Sequence, residues 1–390
     1  MKNVVKDVSS NYLVLNSIRM NYPVTRNEIC AITELSTPSV SRIVNKLIED
    51  GCVTEYEAGN SGVGRKTKML DIDEMSIVTA GVEYSGKTLK AALIDAKGRL
   101  LPDMSQRCVT VLDMPGASPE ELASVIFAEV QKLLDTSGVD ISKLYGIGVA
   151  MPGIIDNENG VVRFSANLVW EDVKFKSVLE KISGVYCVID NDIKAAAYAE
   201  YTSRDYNSKI TALLYVDEGV GSAVIADGSI LRGATNSAGE IGHIVHDVMG
   251  MMCGCGKNGC FQTGVINSFL LAEARRFSTV KSAREIFLPH VRRNMWAKRI
   301  VEKYIHNVAR LLDNVVCVYN PDTIIILGEL INEVPMLFDE VCEEYRKNST
   351  SNYLQYPLDI KKSRYNGHSP LIGVGVLASE KFFKSVANYT

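Results

Sequence analysis

One plan of strands occurs twice in this chain, and a repeated strand plan obliges it to fold as two related units. Residues 81–88, GVEYSGKT, lead into residues 90–101 as strand, small-residue turn, strand, Asp/Gly turn and strand. Residues 213–231 repeat the apolar strand, the glycine turn and an Asp227-Gly228 hairpin. Between and after the copies the pattern becomes βαβ. Residues 125–134 read as a helix, residues 144–150 and 185–189 as buried strands, and residues 300–316 as a long amphipathic helix running into another buried strand at 323–327. Such alternation predicts a ligand at the carboxyl ends of parallel strands, in a cleft between lobes.

With 390 residues, 46% hydrophobic and 23% charged, the chain has enough apolar material for two or three domains. It has no apolar run of membrane-spanning length and no signal-type N-terminus, so a cytoplasmic protein with no membrane partner is expected. Six of nine cysteines (Cys30, Cys52, Cys108, Cys187, Cys317, Cys342) lie singly among apolar neighbours and are expected to be reduced and buried. The other three crowd into residues 252–262, MCGCGKNGCFQ. The C-x-C-x4-C spacing after His243 or His246 can close a tetrahedral Cys3His zinc site, and the glycines let the backbone turn round an ion. A disulfide is the alternative, although three cysteines cannot pair off; between the two histidines, spacing does not choose.

The first 75 residues form a separate module. Residues 11–20 carry a helical stripe, and Thr25 with Glu28 has capping-box spacing. Thr37-Pro38 then signals a third helix, whose Val40, Ile43, Val44 and Leu47 face inward while Ser39, Ser41, Arg42, Asn45 and Lys46 face out. A hairpin follows with the basic run Arg65-Lys66-Thr67-Lys68. This is the order of a winged helix-turn-helix, in which Ser39, Ser41, Arg42 and Lys46 reach duplex DNA from the third helix while Arg65 and Lys66 meet phosphates from the wing. The alternative is a helical module for protein contact with a solvated basic turn. Residues 1–70 hold nine cations to seven anions, so with a net charge of −4 the rest of the chain carries −6.

Glu240-Ile241-Gly242-His243, followed by Cys253-Gly254-Cys255-Gly256-Lys257-Asn258-Gly259-Cys260, resembles the E-x-G-H and C-x-C-G-x-x-G-C elements of the ROK family (repressors, open reading frames, kinases). Residues 147–153, Asn167 to Trp170 and Asn191-Asp192 are further matches, and the resemblance extends over nearly the whole chain. Within the family the chain is similar to the winged-helix regulators of sugar metabolism, of the xylose, N-acetylglucosamine and glucose type. The resemblance implies an α/β, actin-like or hexokinase-like (ASKHA) two-lobed body behind the winged helix. The expected domains are 1–75, then 76–190 with 375–390, then 191–374, the last with the zinc site and a dimerisation surface. It also implies zinc on His243, Cys253, Cys255 and Cys260, and a sugar ringed by Asn167, Asn191, Asp192, Glu240, His243 and Gln262. Glutamate is common at the position of Gln262, so sugar preference is expected to differ there.

In the family's kinases an aspartate at the position of Asp192 is the general base. Here it could equally cap a helix. The kinase phosphate loops are degraded: Glu83-Tyr84-Ser85-Gly86-Lys87-Thr88 lacks the first loop's aspartate and one glycine, Asp217-Glu218-Gly219-Val220-Gly221 puts two carboxylates where a triphosphate would lie, and Glu329 replaces the second glycine of a pair. The expectation is therefore a non-enzymatic, sugar-responsive repressor of carbohydrate-metabolism genes, with a vestigial Asp192. Its expected partners are a double-stranded DNA operator, a small sugar and a second copy of the chain, in a homodimer or homotetramer. A zinc-containing ATP-dependent sugar kinase with an appended DNA-binding module is the enzyme alternative, and a dimerisation scaffold with an emptied cleft is the third.

Overall fold

The computed structural model describes residues 9–58, 67–101, 109–111, 114, 116–203, 208–349, 357–365 and 367–388. Arg65, Lys66 and Cys108 lie outside them. The chain divides into two compact units, residues 1–192 with 371–390 and residues 193–370.

In the first unit, helices α1 (Ser10–Asn21), α2 (Arg26–Thr33) and α3 (Thr37–Glu49) precede an antiparallel pair, β1 (Val53–Glu57) and β2 (Lys68–Ile72). The Thr25/Glu28 capping box starts α2. The cap of α3 is Ser36, whose hydroxyl accepts from Ser39 N–H, so the helix starts at Thr37, one residue earlier than a cap at Thr37 with Pro38 first would place it. Val14, Leu15, Ile18, Ile29, Val40, Val44 and Leu70 close a core that also takes in Ile77, Ala96 and Phe383.

The rest of this unit is a five-stranded sheet in the order β10-β6-β3-β4-β5. Its strands are β3 (Val78–Tyr84), β4 (Thr88–Asp95), β5 (Val109–Val111), β6 (Leu144–Met151) and β10 (Tyr186–Asn191). Helices α4 (Pro119–Ser137) and α5 (Phe175–Ser183) cover one face. The C-terminal helix α13 (Ser369–Asn388) reaches Gly81 and Gly148, where a methyl would come within 2.1 Å of the Leu371 and Val374 carbonyls. A small sheet of β7 (Ile154–Asp156), β8 (Val161–Ser165) and β9 (Trp170–Val173) lies in the β6–β10 crossover.

The second unit has a sheet of order β13-β12-β11-β14-β15. Its strands are β11 (Ile210–Val216), β12 (Val220–Ala226), β13 (Ser229–Ile230), β14 (Thr323–Leu327) and β15 (Asp359–Lys362). In each unit a central strand pairs antiparallel with the next strand and parallel with the one after the helical crossover, and that strand pairs parallel with the last. The duplication legible in the sequence is thus a duplication of topology. Asp227 and Gly228 take φ of 48° and 75°, as a two-residue hairpin turn requires. Helix α6 (Asp192–Thr202) packs Ala196 and Ala197 on one face of the sheet. The other face is covered by α7 (Asn267–Ala274), α8 (Ala283–Ile286), α9 (Pro289–Arg292), the long α10 (Met295–Tyr319), α11 (Glu329–Glu333) and α12 (Leu337–Asn348). No described helix is long and apolar enough to cross a membrane.

The lone cysteines do not all behave as expected. Cys52, Cys187 and Cys342 are buried, Cys30 is half-buried, and Cys317 is exposed. Val315 and Val316 of α10 face the core, and the next residue on a helix turns about 100° away from it.

Candidate functional site

The crowded cysteines form a small knot in the second unit. Isolated bridges join Val245 to Cys260 and Met252 to Asn258. Cys253 N–H donates to the Lys257 carbonyl at 2.8 Å and Gly256 N–H returns to Cys253 O at 2.9 Å, closing a tight turn. Gly259 has φ +69°, and a Cβ there would lie 1.5 Å from the Asp247 carbonyl oxygen, so the backbone crossing that delivers Cys260 admits no side chain. His243 comes from the 3-10 turn Ile241–His243, and the Lys257 ammonium donates to its carbonyl at 2.8 Å.

These contacts bring one ligand atom each from His243, Cys253, Cys255 and Cys260 within 4.8 Å of one another, a group able to hold a metal ion. The His243 Nδ1–Cys253 Sγ and Cys255 Sγ–Cys260 Sγ distances are both 3.6 Å. Zinc–sulfur and zinc–nitrogen bond lengths give tetrahedral edges of about 3.6 Å for N–S and about 3.8 Å for S–S, whereas a disulfide brings its sulfurs to about 2.05 Å. The donor types, and these two distances, fit a zinc tetrahedron. A backbone amide contact at Lys257 pulls the Cys255 thiol below its usual range, while burial and two neighbouring sulfurs push Cys260 up to about 11. A cation among these sulfurs would favour their thiolate form.

The structure separates the two histidines that spacing left open. His246 stacks on Phe261, with ring centroids 4.3 Å apart, and is outside the group. His243 turns Nδ1 to the thiols and Nε2 towards Glu240, 4.0 Å from its carboxylate. Gln262 is half-buried in the 3-10 turn Phe261–Gly264 directly after Cys260.

The remaining expected sugar contacts belong to the first unit. Strand β10 runs parallel to β6 and ends opposite it, with Asn191 beside Met151. Buried Asn191 donates Nδ2 to the Gly153 carbonyl at 3.2 Å, and half-buried Asp192 opens α6. Exposed Asn167 lies against the Gly86 turn, where a Cβ would meet its Nδ2 at 2.8 Å.

On the winged-helix module Arg42 is exposed, while Ser39 and Ser41 are half-buried and Ser39 Oγ lies 2.9 Å from Ser36 Oγ. Lys46 is paired with Asp50 at 2.6 Å, and Glu55 takes both Arg26 and Lys68. Sequence reading missed this neutralisation, and also Lys257 as a brace of the knot; its place between Cys255 and Cys260 was the available signal. In the second unit Asp217 accepts from Asn267 Nδ2 at 2.9 Å and from Glu329 N–H at 3.1 Å. Burial, with Glu329 and Glu218 nearby, pushes its carboxyl up to about 6.

The fold and this site define a winged-helix chain with a duplicated α/β body. The ROK family model matches residues 79–381 and a MarR family model residues 9–62, so the chain belongs to the ROK family and carries a MarR-type winged helix at its N-terminus. It is 25% identical to the xylose repressor of Bacillus spizizenii over 386 residues, 98% of this chain and 97% of that protein. It is 27% identical to the DNA-binding transcriptional repressor Mlc of Escherichia coli over 372 residues, 91% and 89% of the two chains. A crystal structure of a ROK family transcriptional regulator, described as a homologue of the E. coli protein, superposes with TM-score 0.78 at 20% identity, covering 97% and 96%. A ROK hexokinase from Thermus thermophilus superposes with TM-score 0.65 at 24% identity, covering 79% of this chain and 100% of its own. The two structures show a shared actin-like, hexokinase-like fold.

Proposed function

We propose that this chain is a sugar-responsive, DNA-binding transcriptional repressor of carbohydrate-metabolism genes, acting in the cytoplasm as a homodimer or homotetramer. One observation carries the reading: a winged helix and a ROK body share one chain, and relatives named as repressors align with both along nearly its whole length. Ser39, Ser41, Arg42 and Lys46, with Arg65 and Lys66 of the wing, are the proposed DNA contacts. Asn167, Asn191, Asp192, Glu240, His243 and Gln262 are the proposed sugar contacts. Sugar binding shifts the population of DNA-competent conformers through its differential affinity for them.

The metal proposed at His243, Cys253, Cys255 and Cys260 is zinc, on the donor set and the spacings above. When bound it supplies a structural cross-link. His243 would ligate through Nδ1 and keep the proton on Nε2, on the side of Glu240, so that it donates while Glu240 accepts.

Asp192 supports a second reading, a zinc-containing ATP-dependent sugar kinase. Against it, the Glu329 amide is already taken by the carboxylate of Asp217, and Glu218 and Glu329 add charge where a triphosphate would need cations. A thermal-shift panel of hexoses, pentoses, amino sugars and their phosphates, run with and without ATP–Mg, tests both. The repressor reading expects one sugar to stabilise the chain and release it from its operator without ADP formation. Sugar-dependent ADP release at about 1 per second or faster would refute it.

A further inference from the structure

The second unit carries a strongly basic surface that neither the sugar reading nor the metal knot uses. From Arg275 to Arg299 the sequence holds eight cations (Arg275, Arg276, Lys281, Arg284, Arg292, Arg293, Lys298, Arg299) and one anion, Glu285, in a chain whose net charge is −4. Helices α7, α8, α9 and α10 pack on one another, and the ring of Phe277 stacks on Trp296 with centroids 6.2 Å apart and planes 13° from parallel. That stack brings the Arg275-Arg276 end of α7 beside the start of α10, where Arg293 and Arg299 lie. Arg284, Arg292 and Lys298 have carboxylate partners in Glu333, Glu340 and Glu302. Arg275, Arg276, Lys281, Arg293 and Arg299 are exposed and have no ion pair among the described residues.

The winged-helix module shows the opposite pattern. Its described cations Arg19, Arg26, Lys46 and Lys68 are all paired, with Glu380, Glu55, Asp50 and Glu55 respectively, which leaves Arg42 as the one described cation of α1 to β2 without an ion pair among the described residues. Binding to nucleic acid draws its sequence-independent strength from cations free to replace the counterions of phosphates. Among the described residues, the stretch from Arg275 to Arg299 offers five such cations and the winged-helix module one. A second copy of the chain is a poor occupant, because a two-fold interface centred here would set this positive surface against itself.

We propose that the surface of Arg275, Arg276, Lys281, Arg293 and Arg299 is a second nucleic-acid contact, which binds the phosphate backbone of duplex DNA without regard to sequence. It acts apart from operator reading by α3, and it adds affinity and salt dependence rather than specificity.

The experiment measures binding of the full-length chain to a short random-sequence duplex by fluorescence anisotropy across a salt series. The variant carries Arg275→Ala, Arg276→Ala, Arg293→Ala and Arg299→Ala together, and a companion carries the same four arginines changed to lysine. The expected result is a log K versus log salt slope shallower by about 3 to 4 in the alanine variant, from about 0.9 per phosphate contact, with at least about tenfold weaker binding at low salt. The lysine variant should recover both. An unchanged slope in an alanine variant with native circular dichroism would overturn the proposal, as would failure of lysine to restore binding. Unchanged duplex binding with loss of a labelled polyglutamate peptide would overturn it in favour of an acidic protein partner. Failure of the repressor reading looks different: the wild-type chain would not prefer operator to random duplex, yet the alanine variant would still lose salt slope.

Discussion

Asp217 is a residue whose burial can be measured as stability. Its carboxylate is held by Asn267 and the Glu329 amide, yet burial outweighs both contacts, and with repulsion from Glu329 and Glu218 it lifts the group from 3.8 to about 6. The folded state therefore holds this proton more tightly than the unfolded state. The stabilisation is fully present below the unfolded value near pH 4 and is lost as pH rises through about 6. The full shift is worth about 3 kcal/mol, of which about 1.4 kcal/mol falls between pH 5 and pH 8. Partial solvent access reduces that share to about 1 kcal/mol. D217N cannot titrate. It gives up part of the contact with Asn267 or Glu329 but also sheds a desolvated charge, so its stability at pH 8 should stay close to wild type. The discriminating quantity is the pH difference. In denaturant titrations at pH 5 and pH 8, wild type should gain about 1 kcal/mol more than D217N on going to the lower pH, or about 2–4 °C in melting temperature. An identical gain in both proteins would show that Asp217 is ionised throughout, and the account of its burial would be wrong.

Three further outcomes follow from the same structure. Chelation at neutral pH should lower the melting temperature and weaken sugar binding, and metal analysis of the purified chain should return about one zinc per chain; full sugar affinity without metal would separate the two sites. Gly259→Ala, which forces a left-handed alanine onto the Asp247 carbonyl, should cost about 2–4 kcal/mol and release metal more readily; a wild-type melting curve would contradict the described crossing. Ser39→Ala with Arg42→Ala should weaken operator binding by about 1–3 kcal/mol while leaving sugar-induced stabilisation intact, and unchanged operator affinity would remove α3 as the reading helix.

The sequence carried the topology well because topology rests on local patterns. Alternating apolar runs, the Asp227-Gly228 turn and the Thr25/Glu28 box act within a few residues, and each appears where its chemistry puts it. Cys317 shows where that reasoning stops. Its neighbours in sequence are buried valines, but burial on a helix follows the face and not the neighbour. Charge shows a similar limit: ion pairs such as Lys46–Asp50 and Arg26–Glu55, made across turns and between elements, engage most of the described cations of the winged-helix module, while Arg65 and Lys66 of the wing lie outside the described residues. The run from Arg275 to Arg299 was present in the same string of letters and needed only to be counted by segment.

The Cys/His knot was legible as chemistry but not as position. C-x-C-x4-C names soft ligands, and nothing in the spacing says which histidine joins them or what its second nitrogen does. The fold favours His243 through backbone contacts: the Val245–Cys260 bridge and the His246 N–H to Gly259 O bond accompany the stacking of His246 on Phe261, while His243, three residues earlier, lies beside Cys253. The second answer follows from the ring. An imidazole that gives Nδ1 to a thiolate cluster presents Nε2 on its opposite edge, and here that edge faces Glu240. Any cation held by the thiols would fix the tautomer and the angle of the ring, and with them the geometry of the donor on the side of Glu240. Metal occupancy and recognition of a hydroxylated ligand at Glu240 would then be coupled through the two nitrogens of His243.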